Sequence, residues 1–210
     1  MEKTLVLIPT YNELKAIEPF LNGLDHVEVR LCGFGLVEAS LSTIRECQIL
    51  EPDNVVLCGI AGSYEPEQLQ IGKTYCFESV SQYGIGCMRD EFVLPGKLGF
   101  DTIPQQLSLQ PFPGIASAGQ LVSVTSSGTF APDEIRKQYP EANAEDMEGY
   151  GFALGAIGGK AFHISIVRSI SNIVGEPFPN WKIDLALENL GHTLRTQFET
   201  SQIDSEQQDD

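Results

Sequence analysis

Five short segments of this sequence carry residue types able to do chemistry where strand-like runs end or a helix opens. They are Pro9 to Glu13, Gly33 to Val37, Gly59 to Ser63, Glu145-Asp146-Met147-Glu148-Gly149, and Arg168 to Gly175. Glu13 and Glu148 supply carboxylates, which can hold developing positive charge or take a proton from water. Each also has a plainer role available, as an acidic residue complementing the dipole of a helix first turn. Asn172 supplies an amide, one acceptor beside one donor; Gly175 and Pro177 nearby equally suit it to a turn. Met147 by itself reads as core filling. The glycine-rich segments 33–35 and 59–62 contain no Lys or Arg, so an attacking phosphate would meet no cation there.

Loops of this kind converge when they leave the carboxyl ends of strands in one open sheet. Thr4 to Ile8 and Val55 to Cys58 are apolar runs of the sort buried on both faces, and Val27 to Leu31 reads as a strand between them. Gly72 to Val80, Leu121 to Thr125 and Ala161 to Val167 read as further strands. Asn12 is a candidate N-cap for a helix carrying Leu14, Ile17, Leu21 and Leu24, with Pro19 kinking or splitting it. A second helix follows Gly35, with Val37, Leu41, Ile44 and Gln48 along one side. Ala144 to Ile157 is expected to be helical, its Gly149, Gly151 and Gly155 implying close packing against a neighbouring backbone. The last helix places Ile183, Ala186, Leu187, Leu190, Leu194 and Phe198 on one face. Residues 84–118, rich in Gly and Pro, form a long irregular excursion placed near the site. Strands alternating with helices predict an α/β chain: a three-layer αβα sandwich around a central mixed sheet. Residues 1–198 are read as a single domain and 199–210 as an acidic, disordered tail.

The 210 residues are 42% hydrophobic and 20% charged, with a net charge of −16, which disfavours nucleic acid and anionic membranes as partners. No apolar run approaches a membrane span, and Met1 to Ile8 is too short and unflanked for an export signal, so the expected location is cytoplasmic. Five cysteines at irregular spacing read as reduced, mostly buried thiols. The three histidines are scattered, so no metal site and no cofactor is expected. His163 reads as an inward core residue and Arg168 as one half of a strand-end ion pair.

Taken in order, these segments resemble a known family. Gly33-Phe34-Gly35 with Val37 and Ala39, Pro52-Asp53 through Gly59-Ile60-Ala61-Gly62, Leu69 to Gly72, Asp146-Met147-Glu148 and Arg168-Ser169-Ile170-Ser171-Asn172 are similar to motifs of the methylthioadenosine and S-adenosylhomocysteine nucleosidases. Within that nucleoside phosphorylase/hydrolase superfamily, Pro9-Thr10 before Glu13, the glycine after Met147-Glu148, and Ser171-Asn172 with Val174-Gly175 resemble the futalosine hydrolases. Trp181, Ala186-Leu187 and Leu190-Gly191 belong to the same pattern. The resemblance covers most of residues 4–195.

It implies an N-ribosyl hydrolase, in which Glu13 activates the attacking water and Glu148 holds the ribose hydroxyls near a cationic sugar. Met147 packs on the ribose, and Asp146, Phe130, Gly62 and Ile60 complete the substrate pocket. The adenine-specific relatives carry Asp where this chain has Asn172. An amide cannot protonate a base, but it pairs with a 6-oxopurine, accepting from N7–H and donating to O6, and mismatches adenine. The implied reaction is release of hypoxanthine from futalosine, or of the base from its aminodeoxy counterpart, in menaquinone biosynthesis. The implied partners are a small nucleoside, water and further copies of the chain in a homo-oligomer. Ile60 stands where phosphate-using relatives present a polar residue, which favours hydrolysis. Two alternatives stay open: a nucleosidase for methylthioadenosine or S-adenosylhomocysteine, and a non-catalytic nucleoside-binding protein.

Overall fold

The structure is a computed structural model describing residues 2–88, 92–99, 104–127 and 132–206. The chain opens with β1 (Thr4–Ile8), α1 (Tyr11–Leu21), β2 (Val27–Leu31), α2 (Gly35–Leu50) and the long strand β3 (Asn54–Ser63). Short strands follow: β4 (Thr74–Cys76), β5 (Ser79–Gln82), the pair β6 (Cys87–Met88) and β7 (Phe92–Val93), then β8 (Gln106–Ser108) and β9 (Gln120–Ser123). The remainder is α3 (Pro132–Gln138), β10 (Ala142–Asp146), α4 (Gly149–Gly158), β11 (His163–Ile173) and α5 (Ile183–Glu206).

The sheet is mixed. β1 lies between β2 and β3, all parallel; β11 runs parallel to β3 along its other edge and antiparallel to β4. Past the end of β1, β10 joins β3 antiparallel and continues through β9 and β5 to β8. Alternation along these strands fills two cores. Leu5, Leu7, Val55, Leu57 and Ile166 face α2 and α4, burying Ala39, Cys47, Phe152 and Ala156. Val6, Ile8, Val56, Cys58 and Val167 face α1 and α5, burying Ile17, Leu21, Leu187, Leu190 and Phe198. The chain is therefore the expected three-layer αβα sandwich. Among the described residues no helix is long and apolar enough to cross a membrane.

Several local expectations are corrected. Thr10, not Asn12, caps α1, because Glu13 at the third helical position completes a capping box with it. α1 continues through Pro19 and ends two residues later. The α2 stripe is out of phase: Val37 and Leu41 are 72% and 66% exposed. Small residues face inward instead, because α4 approaches so closely that a Cβ on Gly151 would fall on the Leu36 carbonyl and one on Gly155 on the Ser40 carbonyl. Residues 142–146 are a strand, with Ala142 and Ala144 alternating into cores, and the helix starts only at Gly149. The expected strand at 72–80 is two strands, because Phe77 bonds Ile166 and Glu78 bonds Gly119 as the chain changes partners. His163 is exposed at the first residue of β11. The segment read as a disordered tail is helical to Glu206, supported by Arg195–Glu199 and by side chains of Thr200 and Ser201 bonding carbonyls one turn earlier. All five cysteines are free, and only Cys87 is exposed.

Candidate active site

The carboxyl ends of β1, β3, β10 and β11 open on a cleft of about 480 Å³, within the range of small-molecule sites. Pro9, Thr10, Asn12 and Glu13, Ile60 to Gly62, the run Glu145 to Glu148, and Ser171-Asn172 line it, with Phe34, Phe178, Trp181, Ile183 and Leu187 forming an apolar side. Four of the five segments marked in the sequence thus meet here in full or in part, joined by Phe34 of the remaining one. Phe130 lies outside the described residues. Residues 84–118 contribute nothing described to this cleft; several line a separate hollow with Tyr139 and Tyr150, because β8 carries the segment to the far sheet edge.

Glu13 sits in the first turn of α1, so one carboxylate oxygen caps the helix. Oε2 accepts from Thr10 N at 3.1 Å and from Thr10 Oγ1 at 2.6 Å. The other oxygen turns across to β3 and accepts from Ile60 N at 3.2 Å. The first-turn role and a place in the cleft are therefore held by one buried side chain.

Glu148 stands at the N-cap of α4 yet makes no side-chain cap bond to that helix. Its Oε1 accepts from Gly35 N at 3.1 Å, at the start of α2, and its Oε2 from Arg168 Nη2 at 3.2 Å. Burial pushes its carboxyl above the usual range; Arg168 draws it down, and neighbouring Asp146 raises it. Asp146 is committed on all sides, accepting from Ser123 Oγ at 2.6 Å, Gly149 N at 2.9 Å and Arg168 Nη2 at 2.5 Å. It lines the cleft mainly as the clamp that fixes the start of α4.

Arg168 is fully buried in mid-strand, not at a strand end. It pairs with Asp146 and Glu148. Its third nitrogen, Nη1, has no hydrogen-bond partner among the described residues and lies over Gly59, where a Cβ would collide with it and also meet Glu13 Oε1 at 2.8 Å. Glycine at 59 is what lets guanidinium and carboxylate share that space. Three carboxylates hold Arg168 charged, raising its pKa despite burial. The cysteines nearby are poor nucleophiles, since burial pushes Cys32 up to about 12 and raises Cys58 further.

Asn172 is buried on the β11 side, its Oδ1 accepting from Ser171 Oγ at 2.8 Å and its Nδ2 donating to the Ile173 carbonyl at 3.2 Å. Each group keeps capacity for a further bond. Met147 lines the cleft with Ser127 Oγ 3.6 Å from its sulfur. Two buried residues beyond the expected set stand out. Arg168 gathers the carboxylates, and Glu145 lines the cleft with Tyr64 donating to it at 2.6 Å. Their place in the motif segments was the available signal. An Arg or a Glu read from sequence alone is by default at the surface.

No family model matches the chain. Futalosine hydrolase of Streptomyces coelicolor is 31% identical over 150 residues, 66% of this chain and 62% of that protein, so the match spans less than two thirds of that relative's length. Among solved structures, the methylthioadenosine/S-adenosylhomocysteine nucleosidase of Neisseria meningitidis, in complex with methylthio-immucillin-A, superposes with a TM-score of 0.77 at 16% identity. It covers 96% of this chain and 100% of that one. Futalosine hydrolase of Helicobacter pylori gives 0.77 at 14% identity, with coverage of 95% and 98%. The nucleosidase of Colwellia psychrerythraea in complex with adenine gives 0.76 at 18%, with coverage of 94% and 95%.

Proposed function

From a chain with the fold of the nucleoside phosphorylase/hydrolase superfamily, we propose a purine nucleoside N-ribosyl hydrolase, with futalosine or its aminodeoxy counterpart as substrate and base release in menaquinone biosynthesis as its place. The observation that carries this reading is the meeting of Glu13, Glu148 and Asn172 in one cleft.

Breaking the C1′–N9 bond sends its electron pair to the base and leaves a sugar with cation character at C1′. Carboxylates outnumber the single guanidinium around the cleft, and that excess of negative charge stabilises such a cation. Glu148 accepts from the ribose hydroxyls, and Met147 packs against the sugar. Glu13, fixed by Thr10 and Ile60, orients water and takes its proton as the oxygen adds to C1′. N7 of the departing base is protonated from water, and the Asn172 amide accepts from that N7–H while donating to O6.

Water is favoured over phosphate because the described lining of the cleft carries four carboxylates and no Lys or Arg, so an entering phosphate would meet negative charge.

A nucleoside panel, assayed for free base with and without phosphate, tests the reading. The expected result is phosphate-independent hypoxanthine release, reduced by about 10²–10³ in Glu13→Gln. Strong preference for adenine nucleosides refutes the role given to Asn172 and returns the methylthioadenosine alternative. Glu13→Gln with unchanged turnover removes Glu13 from the chemistry.

A further inference from the structure

The hollow at the far sheet edge is used by none of these steps. It holds about 370 Å³, within the range of small-molecule sites, and shares no lining residue with the cleft. Its back wall is Tyr139 and Tyr150, both buried. The polar tips of both rings are already bonded: the Tyr139 hydroxyl donates to the Gln82 carbonyl at 2.6 Å, and the Tyr150 hydroxyl to the Pro104 carbonyl. What these residues offer the hollow is therefore aromatic surface. Burial pushes the Tyr139 hydroxyl up to about 12 and raises that of Tyr150 as well, so neither carries charge near neutral pH.

The opposite wall comes from the β6–β7 hairpin and the turn after it, through Ile85, Leu94 and Leu98. A Cβ at Gly86 would fall 2.6 Å from the Phe92 ring, so glycine lets that ring close onto the chain ahead of β6. Phe92 in turn stacks on Tyr83, with centroids 6.2 Å apart and planes 24° from parallel. Tyr83 and Leu94 pack against Val122, Val124, Ile135 and Tyr139. The hairpin is thereby tied to the same core as the back wall.

The chemistry of the lining selects the occupant. The chain carries a net charge of −16, and four carboxylates line the cleft. Among the described residues around the hollow there is no Asp, Glu, Lys, Arg or His. A charged ligand entering it would lose water and gain no counter-charge, which is costly. A neutral ring would lie against two tyrosines and aliphatic side chains, and the Gln82 and Gln105 amides offer donors and acceptors. We propose that this hollow is a second ligand site, taking an uncharged aromatic compound that carries a hydroxyl or carbonyl group. It stands apart from the cleft and does not depend on the reaction proposed there.

Cys87 serves as the reporter. It lines the hollow and is the one exposed cysteine of five, so its alkylation by iodoacetamide can be followed by mass spectrometry. The probes are 2-naphthol, neutral near physiological pH, and 2-naphthoate, the same rings bearing a charge. In wild type, 2-naphthol should slow alkylation of Cys87, with half its effect at about 10⁻⁴ M, as suits a ligand of its size. 2-Naphthoate should need at least about 10-fold more, the scale of an unpaired charge in an apolar site. The same loss is expected for 2-naphthol with Ile85→Asp, which sets a carboxylate in the lining at a half-exposed position and is checked by thermal unfolding. Hypoxanthine, the probe for the cleft, should give no protection. The proposal is overturned by protection from hypoxanthine, by none from 2-naphthol, or by equal protection from both naphthalene probes. An unchanged 2-naphthol effect in folded Ile85→Asp also overturns it. So does Cys87 reactivity that falls as the chain alone is concentrated, which makes the hollow an interface between copies.

Discussion

Replacing Glu148 with Gln separates its charge from its shape, and the structure fixes what each should do. Gln keeps an acceptor for either Gly35 N or Arg168 Nη2 but not both, since its amide nitrogen must face one of two donors. Loss of the charge removes an attraction to the cationic sugar of about 4 kcal/mol, for unit charges about 4 Å apart at an effective dielectric near 20. That corresponds to roughly 10³ in kcat/KM. Stability should respond in the opposite sense at high pH. Burial lifts the Glu148 pKa from 4.5 to about 7, so between those values the folded chain binds more protons here than the unfolded chain. Wild-type stability contributed by this group is therefore greatest at low pH and declines as pH rises through that window, by up to about 3 kcal/mol. Glu148→Gln cannot titrate and should lose that slope. Urea denaturation at half-unit steps from pH 4.5 to 8, alongside kcat/KM on the best nucleoside, measures both. The wild-type rate should climb with pH through about 7 as the carboxylate ionises. Parallel stability profiles in the two proteins, or a rate within 10-fold of wild type, would refute the reasoning.

Other consequences can be checked separately. Gly62→Ala should cut kcat/KM by about 10- to 100-fold through displacement of Asn172, while shifting unfolding by no more than about 1 kcal/mol, since one methyl is added at an open cleft. Gly151→Ala drives a methyl onto the Leu36 carbonyl and should cost about 1–3 kcal/mol in denaturation with little change in kcat/KM if the folded site is intact. The homo-oligomer implied by the family resemblance would cover the exposed Phe34, Val37 and Leu41 beside the cleft. Sedimentation should give a multiple of 23.0 kDa, falling toward one chain on Val37→Glu.

How much of this was legible before the structure varied with the kind of signal. β1 and the start of β3 announced themselves as apolar runs, and α5 through an apolar face that recurs every three or four residues. The phase of α2 was not legible, because the side it buries is chosen by the glycine-lined surface of α4, more than 100 residues away in sequence. Ala142-Asn143-Ala144 has no β-branched or aromatic residue to mark a strand; its pairing with β9 and β3 makes it one. Glu13, Glu148 and Asn172 were visible as types in loops at strand ends. The partners that fix them were not: Gly35 and Ile60 contribute backbone N–H groups, which leave no mark on residue identity. Arg168 shows the same limit, since its burial depends on two carboxylates that only the β10 and β11 crossings bring to it.

The claim underlying the whole account is that Glu13, Glu148 and Asn172 act on one ligand. A cationic iminoribitol nucleoside carrying 9-deazahypoxanthine presents all three with their partners at once, and its affinity can be read by calorimetry in wild type and in Glu13→Gln, Glu148→Gln and Asn172→Ala. The account predicts tight binding to wild type and a loss of about 100-fold or more in each variant. Wild-type affinity retained in all three folded variants would contradict it.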